Sequence, residues 1–118
     1  MYSERLIEHF QNPRNVGELT SPAVMVEVSN PACGDILRLS ARFERDVAVE
    51  VRYKVRGCTA SIAAGSALTE WMTGKTRAQI AGFRTSSVED AVGGLPAESK
   101  HAAVLCMEGV KALLRRPL

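Results

Sequence analysis

The stretch Ile36-Leu37-Arg38-Leu39-Ser40-Ala41-Arg42-Phe43-Glu44-Arg45-Asp46-Val47-Ala48-Val49-Glu50-Val51-Arg52-Tyr53-Lys54-Val55 decides the fold. Leu37, Leu39, Ala41 and Phe43 alternate with Arg38, Ser40 and Arg42, the period of a strand with one face toward a core. After the polar turn Glu44-Arg45-Asp46 the alternation resumes, with Val47, Val49, Val51, Tyr53 and Val55 on one face. Two such runs with a short connection predict an antiparallel hairpin. Its apolar face has to be covered by another layer. Upstream, Val24, Val26 and Val28 alternate with Met25 and Glu27, which adds a strand over Val24 to Val28.

Helices on both sides supply the cover. Ser3 is placed to cap a first helix from Glu4 to Gln11, with Leu6, Ile7 and Phe10 on its apolar side and His9 on an exposed one. Asn12-Pro13-Arg14-Asn15-Val16-Gly17 ends it, because the residue before a proline avoids helix. Beyond the hairpin, Thr59 to Thr73 reads as a helix with a stripe of Ala60, Ala64, Ala67, Leu68 and Trp71. Gly74 stands where a terminating glycine belongs. Short helices follow over Thr76 to Ala81 and Ser87 to Val92, each introduced by Thr or Ser. Gly93-Gly94-Leu95-Pro96 interrupts the chain, and Lys100 to Arg115 forms a last helix. The order helix, three strands, helices predicts an α+β fold: a three-stranded antiparallel sheet with helices packed on one face, as a single domain over residues 1–118.

Composition narrows the function classes. The chain has 118 residues, 46% hydrophobic and 24% charged, enough for one ordinary globular core. A net charge of +2 is too small to argue for nucleic acid or an anionic membrane. No apolar run approaches the ~20 residues of a membrane helix. The charged, then amphipathic start does not read as a signal peptide, which makes the cytoplasm the default. Arg115-Arg116 suits the C-terminus of a helix, where cations complement the dipole. The three cysteines, an odd number, stand at 33, 58 and 106 and match no zinc-finger spacing. If they share a site, the fold must assemble it.

Pro31-Ala32-Cys33-Gly34-Asp35 and Gly57-Cys58 carry the chemistry. Thiolate and carboxylate are metal-holding side chains, and Gly34 permits the backbone to turn sharply between Cys33 and Asp35. A lone Cys-Gly-Asp is more often a turn than a metal site. Cys58, however, falls where the third strand ends and a helix begins, where backbone N–H groups favour a thiolate. In an antiparallel hairpin the start of the second strand lies beside the end of the third. Cys33, Asp35 and Cys58 are therefore expected at one sheet edge. Cys106 continues a stripe with Val110 and Leu113 that points to the core, although a later helix start would leave it available to the site.

Beyond these residues the chain resembles the iron–sulfur cluster assembly scaffolds, the IscU proteins and the N-terminal domain of NifU. The resemblance rests, in order, on Tyr2-Ser3-Glu4, Asn12-Pro13-Arg14-Asn15-Val16-Gly17, Pro31-Ala32-Cys33-Gly34-Asp35, Gly57-Cys58, and Thr69-Glu70-Trp71 with Gly74-Lys75. It implies the same α+β fold. It also implies transient assembly of a [2Fe-2S] cluster from iron and desulfurase-delivered sulfur, followed by transfer to apo-proteins, with zinc able to take the cluster's place. By that resemblance Cys33, Asp35, Cys58 and His101 are the cofactor- and metal-binding residues, and the family's third cysteine is replaced by Ala102. Leu95-Pro96-Ala97-Glu98-Ser99 stands where IscU proteins carry Leu-Pro-Pro-Val-Lys, with Ser99 in place of the lysine. That departure puts an Hsp70-type chaperone partner in doubt.

Three readings result. The first is a non-enzymatic scaffold or carrier of a cluster, or of iron or zinc, with a cysteine desulfurase and apo acceptor proteins as partners, as a monomer or weak dimer. The second is a zinc-binding or regulatory homologue that docks the desulfurase without building a cluster. An enzyme using Cys58 as nucleophile ranks last, because no general base is placed for it by the sequence.

Overall fold

The computed structural model describes residues 2–31 and 34–117. The chain runs α1 (Glu4–Gln11), β1 (Val24–Ser29), β2 (Ile36–Glu44), β3 (Val47–Arg56), α2 (Thr59–Met72), α3 (Arg77–Ala81), α4 (Thr85–Ala91), a 3-10 turn (Ala97–Ser99) and α5 (His101–Leu114). The three strands form one antiparallel sheet in the order β1-β2-β3. Among the described residues no helix is long and apolar enough to cross a membrane.

The hairpin forms as its alternation predicts over most of its length. Arg45 and Asp46 make a two-residue turn with φ of 50° and 70°, the left-handed pair whose twist matches flanking strands. Leu37, Leu39, Ala41, Val51 and Tyr53 are buried on the inner face. The expected face of β3 fails at its start, where Val49 is exposed and Ala48 is fully buried. A register shift is the cause. Arg42 pairs with Glu50 but Phe43 pairs with Ala48, so Val49 is the extra residue of a bulge and the alternation slips by one.

Two helices lie close on the inner face. A Cβ at Gly65 of α2 would run into the Tyr53 ring, and one at Gly109 of α5 would come 2.8 Å from Leu37 Cδ2. The missing side chains set the helix–sheet distance, and Tyr53 Oη donates to the Ile62 carbonyl at 2.7 Å. Helix α2 is buried nearly all round: Ala63, Gly65, Ser66, Thr69 and Met72 join the expected stripe, while Trp71 is only partly covered. It is flanked by α1, β3, α4 and α5, which explains a composition of small residues on every side.

The segment after α1 also docks on α2 and β3. Tyr53 N–H donates to the Asn15 carbonyl at 3.0 Å and Gly17 N–H to the Tyr53 carbonyl at 2.9 Å, so residues 15–17 cover the open edge of β3. Arg14 N–H donates to Ser66 Oγ at 2.9 Å, and Asn15 Nδ2 donates to Thr69 Oγ1 at 3.1 Å. His9 is buried here, against the expectation of an exposed position. Its Nδ1 lies 2.8 Å from Ser66 Oγ and its Nε2 lies 3.7 Å from Glu70. The α1–α2 packing turns the His9 side of the helix inward. Helix α4 begins at Thr85 rather than Ser87. Ser87 lies within its first turn and its hydroxyl accepts the Arg84 N–H at 3.1 Å. Thr76 caps α3 as expected, with Gln79 closing a capping box.

Candidate metal centre

Asp35 immediately precedes β2, and Gly57-Cys58 immediately follow β3. Because Ile36 pairs with Arg56, these residues meet at one sheet edge. Before β2, Asn30 N–H donates to the Asp35 carbonyl at 2.9 Å, and Gly34 N–H donates to the Asn30 carbonyl at 2.7 Å. Gly34 has φ +77°, the left-handed conformation the sharp turn requires. Cys58 is the N-cap residue of α2. His101 opens α5, delivered by the 3-10 turn before it.

These three side chains converge. Cys58 Sγ lies 3.4 Å from Asp35 Oδ2 and 3.5 Å from His101 Nε2, and His101 Nε2 lies 3.6 Å from Asp35 Oδ2. Zinc bonds of about 2.0–2.3 Å in a tetrahedron imply ligand–ligand edges of about 3.3–3.8 Å. The triangle thus already has the dimensions of one face of a tetrahedral metal site. Asp35 is buried, whereas Cys58 and His101 are partly open to solvent. A ligand would enter from their side.

Burial alone would push the Asp35 carboxyl up. Hydrogen bonds from the Ser61 hydroxyl, the Cys58 thiol and the Cys58 backbone N–H, with the His101 ring alongside, outweigh burial and hold it below its ordinary value. The carboxylate is therefore ionised and acceptor-only near neutral pH. Gly57 makes its position available, since a Cβ there would lie 2.5 Å from Asp35 Cγ.

Of the residues expected at the site, Asp35, Cys58 and His101 come together, and Cys33 lies outside the described residues. Cys106 does not join them. It is 2% exposed, in the core side of α5, and burial pushes its thiol up to about 12. Ala102 is fully buried directly after His101. Lys100 turns away to pair with Glu89 at 2.8 Å. Sequence reasoning missed Ser61, whose hydroxyl donates to Asp35 Oδ2 at 2.5 Å and lies 3.4 Å from Cys58 Sγ. The available signal was its spacing: a polar residue three positions after an N-cap faces back toward it.

The family model for the NifU-like N-terminal domain matches residues 1–116. The chain belongs to that family. This NifU-like domain is 35% identical over 118 residues to the iron–sulfur cluster assembly scaffold protein IscU of Azotobacter vinelandii, covering 97% of the chain and 91% of the relative. It is 41% identical over 111 residues to the bifunctional protein NifU/MnmA of Rubrobacter xylanophilus, with 92% of the chain matched. The chain spans only 23% of that longer relative. Its fold matches a solved structure from Fervidobacterium islandicum AW-1, a candidate scaffold protein of the SUF system. The TM-score is 0.79 at 20% identity, over 97% of this chain and 96% of the other.

Proposed function

We propose that this NifU-like domain is an iron–sulfur cluster assembly scaffold that holds a [2Fe-2S] cluster as cargo and passes it to apo-proteins. The observation that carries the reading is the gathering of Asp35 Oδ2, Cys58 Sγ and His101 Nε2 at one sheet edge, 3.4–3.6 Å apart. That spacing suits a single ion such as zinc, whereas a [2Fe-2S] cluster takes two protein donors on each iron, so these donors and Cys33 would divide between its two irons. Cys33 is the fourth ligand in this proposal, on the strength of its place in Pro31-Ala32-Cys33-Gly34-Asp35. Thiolate and imidazole suit iron in a cluster or zinc in its place. A carboxylate is the weaker ligand for a soft site, which favours a cargo that has to leave. The name of the Azotobacter relative supports the scaffold reading over a zinc-holding regulator.

In this reading each residue has a distinct task. Cys58 presents its sulfur at the N-terminus of α2, where unpaired backbone N–H groups stabilise negative charge. His101 offers Nε2 from the first turn of α5, and Asp35 closes the buried side. Ala102 brings no thiol, and Cys106 is sequestered as a neutral core residue. In this proposal sulfur delivered by a cysteine desulfurase is received by Cys58 or Cys33, in the cytoplasm. The test is anaerobic, desulfurase-driven assembly followed by incubation with an apo-ferredoxin. The expected result is a sulfur-to-iron charge-transfer spectrum that migrates to the ferredoxin. Zinc alone bound, with no chromophore under any iron and sulfide supply, would refute the proposal.

A further inference from the structure

We infer that Ser61 is a positioning residue of the metal site, fixing the carboxylate oxygen that completes the ligand triangle; the inference rests on the metal-site reading above. Ser61 is 2% exposed and lies on the first turn of α2, three residues after Cys58. Its hydroxyl has a single hydrogen. That hydrogen goes to Asp35 Oδ2 at 2.5 Å, while the Ser61 oxygen faces Cys58 Sγ at 3.4 Å. The oxygen it holds is the same one that stands 3.4 Å from Cys58 Sγ and 3.6 Å from His101 Nε2. Ser61 thus bonds the vertex that faces both other ligands.

The terminal torsion of an aspartate is broad, so an unanchored carboxylate turns readily. With Ser61 in place, Oδ2 keeps a lone pair toward its neighbours and gives another to the hydroxyl. Without Ser61 the carboxylate keeps its hydrogen bonds from the Cys58 thiol and backbone N–H but loses the hydroxyl bonded to Oδ2, and that oxygen is held less firmly in the triangle. Outer partners of this kind are worth about 10–100-fold in metal affinity. A purely structural serine would act differently, satisfying a buried carboxylate and affecting stability alone.

The experiment uses Co²⁺ added anaerobically to the full chain as parent, Ser61→Ala, Ser61→Gly and Ser61→Thr, with thermal melts of the apo proteins alongside. Affinity is read by competition with a chelator, and geometry by the cobalt ligand-field bands. Thiolate-to-cobalt charge transfer reports Cys58. Expected is a loss of about 10–100-fold in affinity in Ser61→Ala and Ser61→Gly, with altered ligand-field bands, retained charge transfer and recovery to within about threefold of parent in Ser61→Thr. Either deletion variant suffices if the other does not fold. Parent affinity and parent bands in a folded deletion variant overturn the inference, even if its melting temperature falls. A parent that binds no cobalt overturns the metal-site reading itself, and the role of Ser61 with it.

Discussion

Gly57→Ala tests the construction of the site by pure steric displacement. The added Cβ would lie 2.5 Å from Asp35 Cγ and 2.8 Å from each carboxylate oxygen. Carbon contacts are comfortable only from about 3.5 Å, so the carboxylate has to retreat by about 1 Å. Gly57 is not among the left-handed glycines, so alanine adds no backbone strain and the effect is confined to the side chain. A retreat of that size is several times the ~0.2 Å tolerance on metal–ligand distances. It also disturbs the bond that Oδ2 accepts from Ser61 at 2.5 Å. Zinc affinity is expected to fall by about 10–100-fold, as when a ligand loses its support. Overpacking should cost about 1–3 kcal/mol of stability, or roughly 3–5 °C of melting temperature per kcal/mol in a domain of this size. The assay is competition with a chromophoric zinc chelator, beside a thermal melt of the apo protein. A variant that keeps parent affinity, whatever its melting temperature, would refute the placement of Asp35 in the site.

Four further outcomes are expected. Cys58→Ser replaces a thiolate by a neutral hydroxyl and should abolish tight zinc binding in calorimetry. Cys106→Ala should leave metal affinity unchanged while costing roughly 1 kcal/mol in denaturant melts, the price of a small core void. Ala102→Cys should raise cluster yield in desulfurase-driven assembly and place a persulfide on residue 102 by mass spectrometry. His9 is shifted below its ordinary value by burial, aided by Arg14 and opposed by Glu70 and Glu8. Its neutral form is therefore favoured in the fold: the contribution is complete above the unfolded value near 6.5 and is lost as pH falls through the lower folded value. Melts between about pH 5 and 8 should show a shallower loss of stability on acidification in His9→Gln than in the parent.

What the sequence disclosed follows from how local its signals are. The strand pairing was legible because alternation in Ile36 to Phe43 and Val47 to Val55 is a local property joined by a two-residue turn, and the register then brings Asp35 and Cys58 together. The bulge at Val49 was not legible. A bulge leaves composition unchanged and shifts only the phase of burial, and Ala48 looks no more core-like than its neighbour. The burial of His9 is not legible locally because its partner Ser66 lies on α2, fifty-seven residues along the chain, and meets it only after α1 docks on α2. The spacing of Ser61 ties it to Cys58, three residues earlier, but nothing in the alanine-rich helix marks its second partner, Asp35, twenty-six residues upstream. His101 was placed by resemblance, since nothing in its local sequence ties it to a sheet edge formed by residues 35 and 58.

In the proposed site one metal is held by mixed sulfur, nitrogen and oxygen ligands. X-ray absorption at the zinc edge of the zinc-loaded protein tests it most directly. Two sulfurs at about 2.3 Å and two nitrogen or oxygen ligands at about 2.0–2.1 Å are expected. The outer-shell scattering of a single imidazole should accompany them and disappear in His101→Ala. A first shell of four sulfurs, or a six-coordinate oxygen shell indifferent to Cys58→Ser and His101→Ala, would contradict it.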